Sequence, residues 1–136
     1  MFLLDTSIVS ELRKPRPNGA VLAWYQPIPP SDLAVPAIVI GEMALAMERL
    51  RASDPRGATE LERWLDKMSG EFPILPANAP ILRLWARLMA RAQPHLSTDA
   101  LIAATALHHE LTVATRNVRD FTWFGVLVAN PFGRTR

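Results

Sequence analysis

The stretch STDALIAATALHHELTVATRNVRDF, residues 97–121, determines most of what the sequence predicts about the fold. It opens with Ser-Thr-Asp, residue types that cap helices, and a helix is expected over 100–109. Residues 111–114 form a short apolar run that is typical of a buried parallel strand. Asn117 and Asp120 follow that run. The stretch therefore predicts a helix, a buried strand, and polar side chains just beyond the strand.

The N-terminal segment repeats the arrangement of a strand followed by an acid. Residues 2–4, Phe-Leu-Leu, form an apolar run that predicts a buried first strand, and Asp5 follows it directly. Thr6 and Ser7 are favourable N-cap residues, so a helix is expected to begin there. A second acid thus lies at the end of a predicted strand.

Short strands alternate with helices along the rest of the chain. Further strands are predicted at 33–35, 72–75 and 126–129, and further helices at 20–25, 37–52, 79–92 and after a capping box at 59–62. This alternation predicts an α/β fold in which helices cover the faces of a parallel sheet. All of residues 1–136 are expected to form one domain, because the chain has the length of an ordinary domain.

The composition is that of a globular protein without disulfides. Of the 136 residues, 49% are hydrophobic and 21% charged, and none is cysteine. No apolar run approaches the roughly 20 residues of a membrane span, and the N-terminus lacks the basic segment of a signal peptide. We therefore expect a soluble, cytoplasmic protein with no membrane partner. The 13 Arg against 2 Lys fit phosphate binding and a coding bias equally well.

Four acids and one amide are candidates for chemistry: Asp5, Glu42, Asp99, Asp120 and Asn117. Glu42 lies in a predicted helix among mostly apolar neighbours, where a charged group needs a partner. The others lie at predicted strand ends or helix starts, which meet at one edge of a parallel sheet. Oxygen ligands without paired histidines suit Mg²⁺ better than zinc.

Each of these residues also has an ordinary structural interpretation. Asp5 and Asp99 are good helix caps, and Asn117 suits a turn. Asp120 suits a surface salt bridge with a neighbouring arginine, and Glu42 an exposed helix face. Spacing alone is therefore weak support for a metal site.

Four segments, taken in order, add a family resemblance. These are FLLDTSIVSEL (2–12), IVIGEMALAMERL (38–50), STDALIAATALHHELTVATRNVRDF (97–121) and VLVANPF (126–132). Together they resemble the PIN-domain ribonuclease toxins of the VapC/FitB type. The resemblance runs from one end of the chain to the other and implies a PIN-like three-layer fold.

The resemblance also implies roles for single residues. Asp5, Glu42 and Asp99 match the first three PIN acids, which implies catalysis and metal binding. Asn117 stands where some relatives have a fourth acid, so it is implied as a metal ligand of lower charge. Asp120, three residues further on, is implied as a catalytic acid.

Thr6, Thr115 and Arg116 match positions that line the site, and they are implied as substrate contacts. The implied cofactor is Mg²⁺, with Mn²⁺ as an alternative. The implied activity is that of an endoribonuclease toxin of a type II toxin–antitoxin system, which hydrolyses RNA phosphodiester bonds to leave a 5′ phosphate and a 3′ hydroxyl. The implied partners are a cognate VapB-like antitoxin, a second copy of the chain, and operator DNA bound only through the antitoxin.

Two other classes of function are compatible with parts of the sequence. A phosphatase of the haloacid-dehalogenase kind also places Asp after its first strand, but it needs a second Asp where this chain has Ser7. A non-catalytic PIN-like scaffold that binds RNA or a partner is the other alternative, and a missing acid would favour it.

The remaining basic residues allow two interpretations. Arg83, Arg87 and Arg91 form a stripe at four-residue spacing that suits either a solvated helix face or contacts with RNA. The three histidines have no metal-ligand spacing, and we expect them on the surface or in loops.

Overall fold

Five short parallel strands form one sheet in the computed structural model, which describes residues 1–133. The strands are β1 (Phe2–Leu4), β2 (Leu33–Pro36), β3 (Ile74–Leu75), β4 (Thr112–Ala114) and β5 (Val128–Ala129). Their spatial order is β3-β2-β1-β4-β5, so β1 is central. Residues 134–136 of the predicted domain lie outside the described residues, and the extent of the domain stays a prediction.

Within residues 1–133, seven α-helices flank the sheet. They are α1 (Thr6–Leu12), α2 (Gly19–Tyr25), α3 (Ala37–Arg51), α4 (Pro55–Glu71), α5 (Ala79–Met89), α6 (Ser97–His109) and α7 (Val118–Trp123), with 3₁₀ turns at Pro30–Asp32 and Pro94–Leu96. The predicted α/β class with a short-stranded parallel sheet is confirmed. None of the described helices is long and apolar enough to cross a membrane.

The strand order reverses direction between β1 and β4. From β1 the chain proceeds through β2 to β3 at one edge of the sheet, whereas β4 and β5 lie on the other side of β1. Since crossovers between parallel strands are right-handed, this reversal places helices on both faces of the sheet. In such a sheet a crevice opens at the carboxyl ends of the strands beside the reversal. Here those ends are Asp5 and Thr115.

A fully buried core fixes the two central strands. Leu3 and Leu4 on β1 and Val113 on β4 have no exposed surface. Leu3 pairs with Val113 in register, and the backbone amide of Asp5 donates to the carbonyl of Ala114 at 3.0 Å. The polar residues that follow both strands are therefore placed on rigid backbone.

The predicted start of the fourth helix is wrong. The helix begins at Pro55, where the Asp54 carboxylate accepts a hydrogen bond from the amide of Gly57 at 3.0 Å. Thr59 lies one turn inside, and its hydroxyl donates to the carbonyl of Pro55 at 3.0 Å. An N-cap with proline at the next position competes better for the helix start than the capping box downstream.

The predicted cap of the helix after residue 97 is also wrong. The 3₁₀ turn at Pro94–Leu96 runs directly into α6, which begins at Ser97 and has no side-chain cap at Leu96. Asp99 therefore lies in the first turn of α6, where the positive end of the helix dipole favours a carboxylate. The short helix α7 was not predicted.

Candidate active site

The Asp5 carboxylate is the buried centre of the site. It follows β1, and 5% of its surface is exposed. One oxygen, Oδ1, accepts from the backbone amide of Thr6 at 2.7 Å, so Asp5 does cap α1. The other, Oδ2, accepts from the hydroxyls of Thr115 at 2.7 Å and Ser7 at 3.0 Å. The Asp5 side chain therefore both caps α1 and places a carboxylate in the site.

Thr115 joins the ends of the two central strands. Its side chain is fully buried, and its hydroxyl accepts from the backbone amide of Asn117 at 2.8 Å while donating to Asp5. Ser7 makes a second link, because its hydroxyl accepts from the amide of Arg116 at 3.1 Å. Sequence analysis assigned no site role to Ser7, although it lies two residues after Asp5.

Glu42 reaches the same edge of the sheet from α3. The hydroxyl of Thr6 donates a hydrogen bond to Oε1 of Glu42. Glu42 is thereby linked to the residue that follows Asp5. Glu42 is half-buried, and its hydrogen-bond partner is neutral. Its negative charge is therefore oriented but not neutralised.

Asn117 links the two acids on the other side of the site. Its amide nitrogen donates to Oδ2 of Asp99 and to Oδ2 of Asp120, both at 2.9 Å. Asp120 lies in the first turn of α7, the helix that Asn117 precedes. The amide group that faces the carboxylates is the nitrogen, which is a hydrogen-bond donor and not a metal ligand. The predicted ligand role of Asn117 stays a prediction.

The four carboxylates lie close enough to repel one another. The pKa of Asp99 is raised from an ordinary 3.8 to about 6, and burial is the largest cause. The negative charges of Asp5, Asp120 and Glu42 contribute to this rise, while the hydrogen bond from Asn117 opposes it. The site therefore favours a proton, or another cation, at Asp99.

Within residues 1–133, no salt bridge joins these carboxylates to a basic side chain. The salt bridges found there join Lys14 to Glu11, Arg51 to Glu48 and Glu62, and Lys67 to Glu71. None of them involves Asp5, Glu42, Asp99 or Asp120. Carboxylates that repel one another in this way attract cations.

The donor set suits a hydrated divalent ion. Across residues 1–133, no group of three or more His, Cys, Asp or Glu side chains lies close enough together to hold a metal ion. Mg²⁺ is usually bound by one or two carboxylates and keeps several waters, so it does not require three side-chain ligands. The oxygen ligands of this open site therefore fit Mg²⁺.

The predicted substrate contacts occupy different surroundings. Thr6 and Thr115 have hydroxyls committed to Glu42 and Asp5. Arg116 is exposed, and its guanidinium lies 3.7 Å from the centre of the Phe132 ring. That cation–π contact holds Arg116 beside the C-terminal end of the described chain.

An open groove of about 760 Å³ adjoins the carboxylates and includes Asn117 and Asp120 in its lining. Arg91, Arg119 and Trp123 also line it. Sequence analysis gave Trp123 no role, and the only sequence signal is its position four residues after Arg119. A second cavity of about 160 Å³, lined in part by Val9, contains none of the predicted site residues.

This fold, with acids at the reversal point of a parallel sheet, can be compared with the folds and sequences of known proteins. The family model described as the PIN domain matches residues 2–122. The chain therefore belongs to the PIN domain family.

Two curated relatives match nearly the whole chain. The chain is 34% identical over 138 residues to the toxin FitB of Neisseria gonorrhoeae, covering 97% of this chain and 99% of FitB. It is 32% identical over 142 residues to the VapC ribonuclease Y4jK of Sinorhizobium fredii, covering 97% of this chain and 98% of Y4jK. The predicted resemblance to the VapC/FitB type is thus confirmed.

A solved structure agrees with the fold. The structure of FitAB bound to an IR36 DNA fragment superposes with a TM-score of 0.84 at 30% identity, covering 100% of this chain and 99% of that chain.

Proposed function

We propose that this protein is a metal-dependent endoribonuclease, the toxin of a type II toxin–antitoxin system, built as one PIN domain and acting in the cytoplasm. The observation that carries the proposal is the set of four carboxylates at the reversal of the sheet without a compensating cation among the described residues. The relative named as a VapC ribonuclease supports RNA as the substrate.

In this proposal Asp5 and Asp99 would hold Mg²⁺, with Glu42 as a ligand through a water molecule, and Mn²⁺ can replace it. When bound, the ion supplies positive charge that lowers the pKa of a nearby water and offsets charge on the phosphate. Asp5 is the most rigid ligand because three hydrogen bonds fix its two oxygens. A bound cation would stabilise Asp99 most, because burial and repulsion by the neighbouring carboxylates disfavour its ionised form.

The remaining residues position the reacting groups. Glu42, oriented by the Thr6 hydroxyl, directs the attacking water and accepts its proton. The water oxygen bonds to phosphorus as the bond to the 3′ oxygen breaks, and the 3′ oxygen takes a proton from a solvent water and leaves as a hydroxyl. Asp120 supports Asp99 through the shared amide of Asn117. Arg116 is exposed and is available to phosphates that flank the site.

The partners follow from the relatives in the same way. The solved complex named FitAB on DNA supports a cognate antitoxin for this chain, and operator DNA bound through that antitoxin. We also propose that the chain forms a homodimer. Expression of this chain alone is expected to arrest growth. Where a small open reading frame lies beside its gene, co-expression of that frame is expected to yield a stable complex and to restore growth.

The test is purified protein incubated with total RNA, with sequencing of the new ends. Cleavage is expected with Mg²⁺ or Mn²⁺, with 5′ phosphates at the new ends, and excess EDTA is expected to abolish it. Asp5→Asn and Asp99→Asn are expected to lose cleavage while they stay folded, because both replacements keep the shape of the side chain. Full cleavage in EDTA, or by either folded variant, would refute the proposal.

A further inference from the structure

The groove beside the carboxylates is formed by two elements that meet at the site. One wall is α7, which contributes Arg119 and Trp123. The other wall contributes Arg91 and the 3₁₀ turn at Pro94–Leu96, which leads into the helix of Asp99. Its volume of about 760 Å³ is within the range of ligand sites. Because Asn117 and Asp120 also line the groove, it is continuous with the carboxylate site.

Trp123 offers a large aromatic surface to the groove. It is 57% exposed, whereas Trp64 and Trp85 are half-buried and pack against the core. Its ring meets the ring of Phe124 edge to face at 5.2 Å, and Phe124 is 6% exposed. A buried neighbour thus fixes an indole that remains open to solvent. A rigid, exposed aromatic ring is a platform on which a nucleobase stacks.

Two arginines give the same groove positive charge. Arg119 lies four residues before Trp123, so both side chains project from one face of α7. Arg91 and Arg119 are exposed, and within residues 1–133 neither forms a salt bridge. Their guanidinium groups are therefore available to bind phosphates.

We propose that this groove binds the unpaired nucleotides next to the scissile phosphate, with one base stacked on Trp123 and the neighbouring phosphates bound by Arg91 and Arg119. This inference rests on the proposed ribonuclease function. Asp120 and Asn117 belong both to the groove and to the carboxylate site, so a strand in the groove enters the site directly. A base within a duplex has its faces covered by its neighbours, so the platform selects single-stranded RNA. Trp123 is then a specificity-determining residue.

Binding is measured by fluorescence anisotropy with fluorescein-labelled oligoadenylate of ten nucleotides and with a matched ten-unit abasic ribose oligomer. Asp5→Asn protein in Mg²⁺ is the common background, so that no probe is cut. Trp123→Ala is expected to weaken oligoadenylate binding about tenfold and to leave the abasic oligomer unaffected, because stacking on one aromatic ring has about that effect. Trp123→Phe is expected to restore most of the affinity.

The arginine variants give a different signature. Arg91→Ala and Arg119→Ala are expected to weaken both probes alike, and each is expected to lower the slope of log affinity against log salt by about 0.7. Leu127→Ala, which removes another exposed apolar side chain, and Arg63→Ala, which removes an exposed arginine on α4, are matched controls expected to change neither probe.

Unchanged oligoadenylate affinity in Trp123→Ala would overturn the inference, and so would equal weakening of both probes. The proposed function is tested separately, by measuring RNA cleavage with protein that retains Asp5. If that protein cuts RNA in Mg²⁺ and Trp123→Ala cuts it equally well, the groove proposal fails and the ribonuclease stands. If base-dependent binding is found but no RNA is cut, the ribonuclease fails and the groove binds RNA for another purpose.

Discussion

Replacing Asp99 with asparagine should make the metal-free protein more stable while removing its activity. Asn keeps the size of the side chain, and its oxygen still accepts the hydrogen bond from the amide nitrogen of Asn117. What is lost is a negative charge that burial and the charges of Asp5, Asp120 and Glu42 disfavour. The variant therefore removes an unfavourable electrostatic free energy from the folded state.

The size of the gain follows from the pKa. A folded-state pKa of about 6 against 3.8 in the unfolded chain corresponds to about 3 kcal/mol of unfavourable free energy above pH 6. Asp99 is partly exposed, so solvent screening reduces this to about 1 kcal/mol. For a chain of this length that amounts to a rise in Tm of roughly 4 °C.

The gain should depend on pH in a defined direction. Below pH 3.8 Asp99 is protonated in both states and contributes no difference. As the pH rises towards about 6, the unfolded chain ionises while the folded protein retains the proton, so the metal-free protein loses stability. Asp99→Asn has no such proton, and its advantage should therefore grow across this range and then stay constant.

The assay is thermal unfolding in EDTA at pH 4 to 8. Asp66→Asn, which removes an exposed acid on α4, is the control for net charge. Adding Mg²⁺ at ten times its dissociation constant is expected to stabilise the unaltered protein by about 1.4 kcal/mol and Asp99→Asn by much less. If Asp99→Asn is no more stable than Asp66→Asn at pH 8, or if its gain is the same at pH 4, the electrostatic reasoning is wrong.

Three further changes probe the supports of the site. Thr115→Val removes a buried hydroxyl between Asp5 and the amide of Asn117, and it should cost about 2 kcal/mol in urea unfolding and reduce cleavage. Asn117→Asp replaces the donor shared by two carboxylates with another charge, so the Tm in EDTA should fall and less Mg²⁺ should be needed for half-maximal cleavage. Asp54→Ala removes the cap of α4 and should cost about 1 kcal/mol of stability with cleavage intact, whereas a loss of cleavage would link α4 to the site.

The central part of the fold could be predicted because its signals are local. The apolar run at Phe2–Leu4 before Asp5 gives both the strand and the position of the acid, and the periodic apolar residues of α3 give that helix within one residue. Helix α7 could not be found this way, since six residues are too few for a clear period. The start of α4 is at Pro55 after the cap Asp54, a pair that the sequence analysis did not consider beside the capping box at 59–62.

Apart from the helix cap at Asp5, the polar contacts of the site could not be predicted. Thr115 and Asp5 are 110 residues apart in sequence, and their hydrogen bond depends on the pairing of β1 with β4. The orientation of the Asn117 amide depends on where α6 brings Asp99. Resemblance to a family names candidate residues, but it does not state which atom of each side chain faces which neighbour.

The neutral character of these contacts explains how the site remains charged. Hydroxyls bind Asp5 and Glu42, and an amide joins Asp99 to Asp120, so each carboxylate is oriented by a dipole. An arginine in place of any of these donors would satisfy the geometry, but it would also neutralise the charge that draws in a cation. The chain instead accepts repulsion at Asp99, which destabilises the empty site and strengthens its preference for a divalent ion. The free energy by which Asp99 destabilises the metal-free protein should therefore add to the affinity of the site for the ion.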